Sequence, residues 1–260
     1  MPGKGKLATP MTDTQPRIAI VTAASKGIGA ACARQLATEG YALVLMARGE
    51  AVHGLAEELG GSAMQGDVTK ADDLERLVDH AMATHGRIDA LVANTGLSRD
   101  QNSYNGTIFD PTDDASIIDY DDTYWFDMFE LLYMNVVRLA RLVTPVMQNQ
   151  GGGAVVNISA MISKEPHASY PSSSTVRRGL DGYVKLYADR HARDGIRMNT
   201  VSPGLVSNFS WTPEQLVPVP MQRPVNVDEI AATVAFLLSD AAGSITGQNI
   251  LVDGGFNRSI

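Results

Sequence analysis

Arg17-Ile18-Ala19-Ile20-Val21-Thr22-Ala23-Ala24-Ser25-Lys26-Gly27-Ile28-Gly29 is the stretch whose reading decides the fold. Residues 17–22 form a short run rich in β-branched and apolar side chains, the pattern of a fully buried strand. Small residues follow at Ala23, Ala24 and Ser25, glycines flank Ile28, and residues 30–38 have the Ala-rich composition of a buried helix. Strand, tight turn and helix together aim backbone N–H groups and a helix N-terminus at one point, where a phosphate fits. A Cβ at these glycines would hold a pyrophosphate away. The spacing of the loop is not G-x-G-x-x-G, so the rest of the chain has to decide its reading.

The same alternation continues downstream. Residues 41–47 (YALVLMA) read as a second buried strand closed by Arg48 and Gly49, and residues 50–59 as a helix. Residues 62–66 make a short third strand ending at Asp67, Val68 and Thr69. Leu74, Leu77, Val78, Ala81 and Met82 fall near the 3.6-residue period over residues 71–85. Residues 88–94 (IDALVAN) and 154–159 (AVVNIS) are the fourth and fifth strands. A helix lies within residues 171–194, and another begins at residues 225–229 with its apolar body over 230–238. Strands and helices at this spacing predict a doubly wound α/β domain, a parallel sheet covered by helices on both faces. The length of 260 residues suits one such domain over residues 16–260. Residues 1–15 lack hydrophobic periodicity and read as a mobile tail.

Composition narrows the function. The chain is 44% apolar and 19% charged, with a formal net charge of −8. The acidic balance, with only the pair Arg177–Arg178 as a basic run, argues against nucleic acid. No apolar run approaches the ~20 residues of a membrane span. The single cysteine, Cys32, cannot form an internal disulfide, which suits a reducing, cytoplasmic compartment. The five histidines are scattered without metal-ligand spacing.

Six motifs in order resemble the short-chain dehydrogenase/reductase family, over about residues 17–255. Thr22 to Gly29 is similar to the family's T-G-x-x-x-G-[IL]-G loop, with Ala23 in place of the first glycine. Asp67–Val68 resembles the pair that contacts adenine, and Asn94-Thr95-Gly96 the N-A-G motif. Asn135 falls where the family keeps an active-site Asn. Asn199-Thr200-Val201-Ser202-Pro203-Gly204 matches N-x-V-x-P-G, and residues 245–255 resemble the C-terminal signature. The resemblance implies a Rossmann-type domain with a seven-stranded, mostly parallel sheet. It implies cofactor contacts from Thr22, Ser25, Lys26, Gly27, Ile28, Arg48, Asp67, Val68, Asn94, Gly96, Arg177, Pro203, Gly204 and Val206. It also implies a homo-oligomer, dimer or tetramer, and a small-molecule substrate covered by residues 205–224.

Cofactor choice can be read from charge. NAD sites usually place an acid at the end of the second strand; here Ala47 stands there, followed by Arg48. With Lys26 in the loop, two cations favour a ribose 2′-phosphate, hence NADP(H).

The proton-transfer machinery departs from the family, whose reaction uses a Ser, a Tyr and a Lys. The strand VVNISA puts Ala160 at the serine position. Counting back from Gly195 through the following helix puts Arg177 at the lysine position and Ser173 at the tyrosine position, and the two registers agree. Arg177 stays cationic and can hold a ribose. Ser173 needs activation. Tyr170, just ahead of Pro171, is expected one helical turn from Ser173. The catalytic candidates are therefore Asn135, Tyr170, Ser173 and Arg177, with His167 and Glu165 as further proton donors. Residues 97–122 form an acidic insertion with seven aspartates and neighbouring aromatics, a polar loop or a lid suited to a cationic organic substrate.

The leading expectation is an NADP(H)-dependent oxidoreductase with an altered proton donor. A cofactor-binding sensor or inactive partner without redox turnover is the alternative. A non-redox lyase or dehalogenase on the same scaffold is disfavoured by the intact glycine loop and Arg48.

Overall fold

The structure is a computed structural model that describes residues 15–95, 117–168 and 170–259. Gly96, most of the acidic insertion and the N-terminal tail lie outside the described residues. β1 (Ile18–Thr22), β2 (Ala42–Ala47), β3 (Ser62–Gln65), β4 (Ala90–Ala93), β5 (Gly153–Ile158), β6 (Ile196–Pro203) and β7 (Asn249–Val252) form one seven-stranded sheet in the order β3-β2-β1-β4-β5-β6-β7. Every pairing is parallel. β1, β4 and β5 are buried almost throughout, which explains their continuous apolar runs in place of alternation.

Helices cover both faces, as the periodicity predicts. α1 (Gly27–Thr38), α2 (Ala51–Glu58) and α8 (Val227–Leu238) contribute to one core cluster, with Leu36, Leu43, Leu45 and Val234 fully buried. α3 (Ala71–His85), α5 (Asn135–Gln150) and α6 (Pro171–His191) pack on the other, around Leu74, Leu91, Leu139 and Leu180. Burying each such side chain contributes about 1.5–3 kcal/mol. α4 (Asp122–Phe129) runs through a π-helical turn at Glu130–Met134 into α5, a feature the sequence did not signal. α7 (Pro213–Leu216) is a short helix in the segment after β6.

The chain winds outward from β1 to β3, then crosses back to β4 beside β1. Ligands of such sheets sit beyond the carboxyl ends of the strands at this reversal. The loop after β1 and Asn94 after β4 are the two ends that meet there.

Candidate active site

The phosphate loop is built by close backbone approach. Thr22 Oγ1 donates to the Asn94 carbonyl at 2.6 Å and accepts from Asn94 N at 3.0 Å, so the ends of β1 and β4 are tied side by side. Asn94 Nδ2 donates to the Ala23 carbonyl at 3.4 Å. A Cβ added at Gly29 would lie 2.4 Å from that carbonyl oxygen. Glycine is therefore required by the loop's own packing. Ala23 holds φ +48°, the left-handed region in which glycine is unstrained and alanine is not. The family glycine that this chain replaces thus leaves its conformation behind without its residue.

Lys26 precedes α1 as its exposed N-cap, and the first turn carries no acid. Ala24 N donates to the Met46 carbonyl at 3.1 Å, which draws the loop against the end of β2, where Arg48 is exposed. Ser25 and Ile28 are half-buried in the same turn. Asp67 accepts from Thr69 N at 3.0 Å and Thr69 Oγ1 at 2.9 Å. Burial raises the Asp67 pKa, but these hydrogen bonds and the Arg48 and Lys70 charges outweigh it, and the net direction is down. Val68 is 8% exposed and belongs, like Met46, to the second core cluster. Bare helix N-terminus, glycine cradle and the Lys26 and Arg48 cations fit a phosphorylated dinucleotide.

The opposite half of the site comes from β5, β6 and α6. Gly204 follows Pro203 so closely against β7 that a Cβ would lie 2.7 Å from Asp253 Cα. Val206 is buried and bridges to Val225. α6 starts at Pro171, with Tyr170 as its N-cap, in agreement with the sequence reading of that dipeptide. Ser173 and Arg177 meet one turn apart: Arg177 Nε donates to Ser173 Oγ at 3.1 Å, and Nη1 donates to the Ile158 carbonyl at the end of β5 at 3.1 Å. Burial lowers the Arg177 pKa to about 10, opposed by Asp181, and the group remains cationic at neutral pH. Burial pushes the Tyr170 phenol up, so it holds its proton at neutral pH. Asn135 opens α5 directly after the π-helical turn; its Nδ2 donates to the Leu131 carbonyl, and its buried Oδ1 finds no partner among the described residues. A π-turn at such a position is a frequent mark of a functional site.

Two sequence-based candidates change. Glu165 accepts from Arg258 N at 2.6 Å and from Ser259 N, which lowers its pKa and commits an ionised carboxylate to the chain end rather than to proton donation. Of the acidic insertion, Asp121 caps α4 by accepting from Tyr124 N at 2.9 Å. His167 lies with its ring centroid 6.1 Å from that of Tyr170.

The structure adds Asn208 and Ser172, and gives contacts to Trp211 and Tyr124, which the sequence marks only as aromatics of the substrate-covering segment and of the acidic insertion. Asn208 reaches across so that a Cβ on Gly27 would lie 3.0 Å from its Nδ2. Trp211 Nε1 donates to the Val206 carbonyl at 2.8 Å. Ser172 Oγ, next to Ser173, donates to Tyr124 Oη at 2.6 Å. A polar residue in the loop after Pro203–Gly204 was the only signal for Asn208.

Comparison with known proteins agrees with this geometry. The enoyl-(acyl carrier protein) reductase family model matches residues 22–257. A cis-4-hydroxycyclohexanecarboxylate dehydrogenase of Sinomonas cyclohexanicum is 31% identical over 252 residues, covering 92% of this chain and 96% of that protein. A 3-oxoacyl-[acyl-carrier-protein] reductase FabG of Staphylococcus aureus is 31% identical over 251 residues, covering 91% and 96%. Among solved structures, L-sorbose reductase from Gluconobacter frateurii, complexed with NADPH and L-sorbose, superposes with a TM-score of 0.79 at 27% identity, covering 95% of this chain and 98% of that one. Loop, strand order and relatives together place the chain in the short-chain dehydrogenase/reductase family.

Proposed function

We propose that the protein is an NADP(H)-dependent oxidoreductase acting on a small-molecule carbonyl or imine, with Ser173 and Arg177 in place of the family's tyrosine and lysine. The carrying observation is the 3.1 Å hydrogen bond from Arg177 Nε to Ser173 Oγ. Because Ser173 accepts there, its own O–H is left to donate to a substrate oxygen or nitrogen. The fixed guanidinium charge beside it stabilises negative charge developing on that atom. Tyr170, protonated at neutral pH and one turn earlier, is the second proton source.

The cofactor supplies the hydride that reduces the substrate carbon, or accepts it in the reverse direction. The chain's own residues hold and orient. Thr22, Ser25, Gly27, Ile28, Asn94 and Gly204 shape the pyrophosphate cradle, and Asn208 closes on it. Lys26 and Arg48 would hold a 2′-phosphate, Asp67 and Val68 would flank the adenine, and Pro203 and Val206 would border the nicotinamide. Arg177 would hold the nicotinamide ribose with the guanidinium N–H groups not given to Ser173 and Ile158, and Asn135 would order the proton path. The NADPH carried by the sorbose reductase relative supports this cofactor.

A homo-oligomeric, cytoplasmic enzyme completes the reading; among the described residues no helix is long and apolar enough to cross a membrane. A cationic substrate drawn by the acidic insertion remains part of this proposal, although Asp121 is committed to capping α4.

The test is NADPH binding alongside NADPH oxidation against ketones, aldehydes, cyclic imines and enoyl thioesters. Arg177→Ala and Ser173→Ala should each lower turnover about 100-fold, the scale of a lost general acid. Tyr170→Phe should lower it further in the Ser173→Ala background. Binding with no turnover on any class would favour the cofactor-binding sensor or inactive partner. Full activity in all three variants would refute the site assignment.

A further inference from the structure

A polar cavity of about 180 Å³ lies between α6 and the last two strands, lined by Lys164, Asp181, Thr200, Gln248 and Asn249. None of these residues belongs to the site described above. The topology brings them together. Thr200 of β6 and Asn249 of β7 are register partners in the parallel pairing, so their side chains share one face of the sheet. Met198, two residues before Thr200, packs in the core cluster that contains Leu180 and Val184 of α6, so the shared face is the one α6 covers. Asp181 lies on α6 one turn beyond Arg177, and Lys164 follows the short helical turn Met161–Ser163 after β5.

Three buried acceptors of this lining find no hydrogen-bond partner among the described residues: Asp181 Oδ2, Asn249 Oδ1 and Thr200 Oγ1. Thr200 is fully buried. Asn249 is held in place, because its Nδ2 donates to Asp181 Oδ1 at 2.7 Å and to Ser163 Oγ at 3.0 Å. Those two bonds also decide which end of the amide is the oxygen. The cations around Asp181 do not satisfy it. Arg178 Nη1 stands 3.9 Å from Oδ2, beyond hydrogen-bond distance, on a side chain that is 58% exposed. Lys164 acts on Asp181 by charge. Burial raises the Asp181 pKa against the hydrogen bonds from Asn249 and Ser163 and the charges of Lys164 and Arg178, and the net direction is up. A buried carboxylate so placed is stabilised by a further donor that carries positive charge.

Water would meet the acceptors but not the charge, and the cavity is several times the ~30 Å³ share of one water. Hard metal cations take about six or more oxygen ligands, against three unpartnered side-chain oxygens here. A primary ammonium has three N–H donors, one for each. Lys164, in the same lining, is matched by an anion. We propose that this cavity binds a small zwitterion of the amino-acid class, its ammonium among Asp181 Oδ2, Asn249 Oδ1 and Thr200 Oγ1 and its carboxylate on Lys164. The inference is independent of the reductase reading.

Glycine, β-alanine and γ-aminobutyrate space the two charges progressively. They are titrated into the full chain by calorimetry, in a buffer free of amines, beside butylamine and butyrate. At least one of the three should bind at millimolar concentration or below, at least about tenfold more tightly than butylamine or butyrate. Asp181→Asn keeps the shape and removes the charge, and should weaken that binding at least about tenfold. Lys164→Met should bring the zwitterion down to the affinity of butylamine and leave butylamine itself unchanged. Thermal melts show that each variant is folded; if Asp181→Asn is not, the Lys164→Met comparison decides. No heat from any of the three zwitterions, butylamine or butyrate binding as tightly as they do, or unchanged affinity in the folded variants would overturn the proposal. So would an Asp181-dependent rise in Tm with potassium chloride alone, which marks a site for an inorganic cation. NADPH oxidation is not read in this test, so failure of the reductase reading shows separately.

Discussion

Replacing Gly29 by alanine brings a methyl group to 2.4 Å from the Ala23 carbonyl oxygen and 2.8 Å from Asn94 Nδ2. Ordinary contacts begin at 3.4 Å, so the carbonyl is about 1 Å too close. Asn94 is a side chain and can rotate. Ala23 is backbone already held at φ +48°, with little freedom to yield. The carbonyl must move, and with it goes the Asn94-to-Ala23 hydrogen bond that joins the loop to β4. Overpacking of this kind costs about 1–3 kcal/mol, and the better helix propensity of alanine in α1 returns up to about 1 kcal/mol. A net loss of about 1–2 kcal/mol lowers the Tm by about 3–6 °C in a chain of this size. The cofactor suffers more than the fold, because a shift of about 1 Å displaces the turn that presents its N–H groups. NADPH affinity should fall at least about tenfold, or about 1.4 kcal/mol. Fluorescence titration with NADPH and a thermal melt on the same sample read the two effects. A dissociation constant within threefold of the unmutated protein, with a Tm within about 1 °C, would refute the account of the loop.

Ala23→Gly removes a side chain from a left-handed residue, relieving about 1–2 kcal/mol against an unfolded-state entropy cost of about 0.4–1 kcal/mol; a small rise in Tm is expected, and a fall would show that the Ala23 methyl is needed for packing. Arg48→Asp should weaken NADPH at least about thirtyfold through lost charge-assisted hydrogen bonds while changing NADH less than about threefold; equal binding of both cofactors by the unmutated protein would refute the assignment. At the start of α8, Glu229 accepts from Arg223 at 2.7 Å and closes a capping box with Asn226, which lowers its pKa to about 2. A depressed carboxyl stabilises the fold above its unfolded pKa and loses that contribution as the pH falls. Glu229→Gln should therefore flatten the stability profile between about pH 4.5 and about pH 2, and an unchanged acid limb in urea melts would count against it.

The parts of the molecule that were legible in the chain are those governed by neighbours in sequence. Strand and helix alternation follows from apolar periodicity, and the sheet forms where residues 17–22, 41–47 and 88–94 place it. The step from Tyr170 to Pro171 marks the start of α6, because proline fits the first helical position. Ser173 and Arg177 are four residues apart, one turn of one helix, and their hydrogen bond needs nothing from elsewhere.

Contacts between distant segments were not legible. Glu165 looked like an acid near the reacting position and instead binds the chain end. Asp121 looked like part of a negative lid and serves as a helix cap. No local pattern announces that Asn208 lies over Gly27, or that Trp211 spends its N–H on Val206. The sequence by itself determined a doubly wound sheet and the glycine-containing loop after Thr22, since register and periodicity are local properties; it also carries the proposed replacement of the family's Ser, Tyr and Lys by Ala160, Ser173 and Arg177. Only the tertiary structure decided that Ala23 keeps a glycine's backbone and that Glu165 and Asp121 are already engaged by backbone N–H groups. Those outcomes depend on which segments meet across the fold, and burial and hydrogen-bond competition settle that once the sheet has formed.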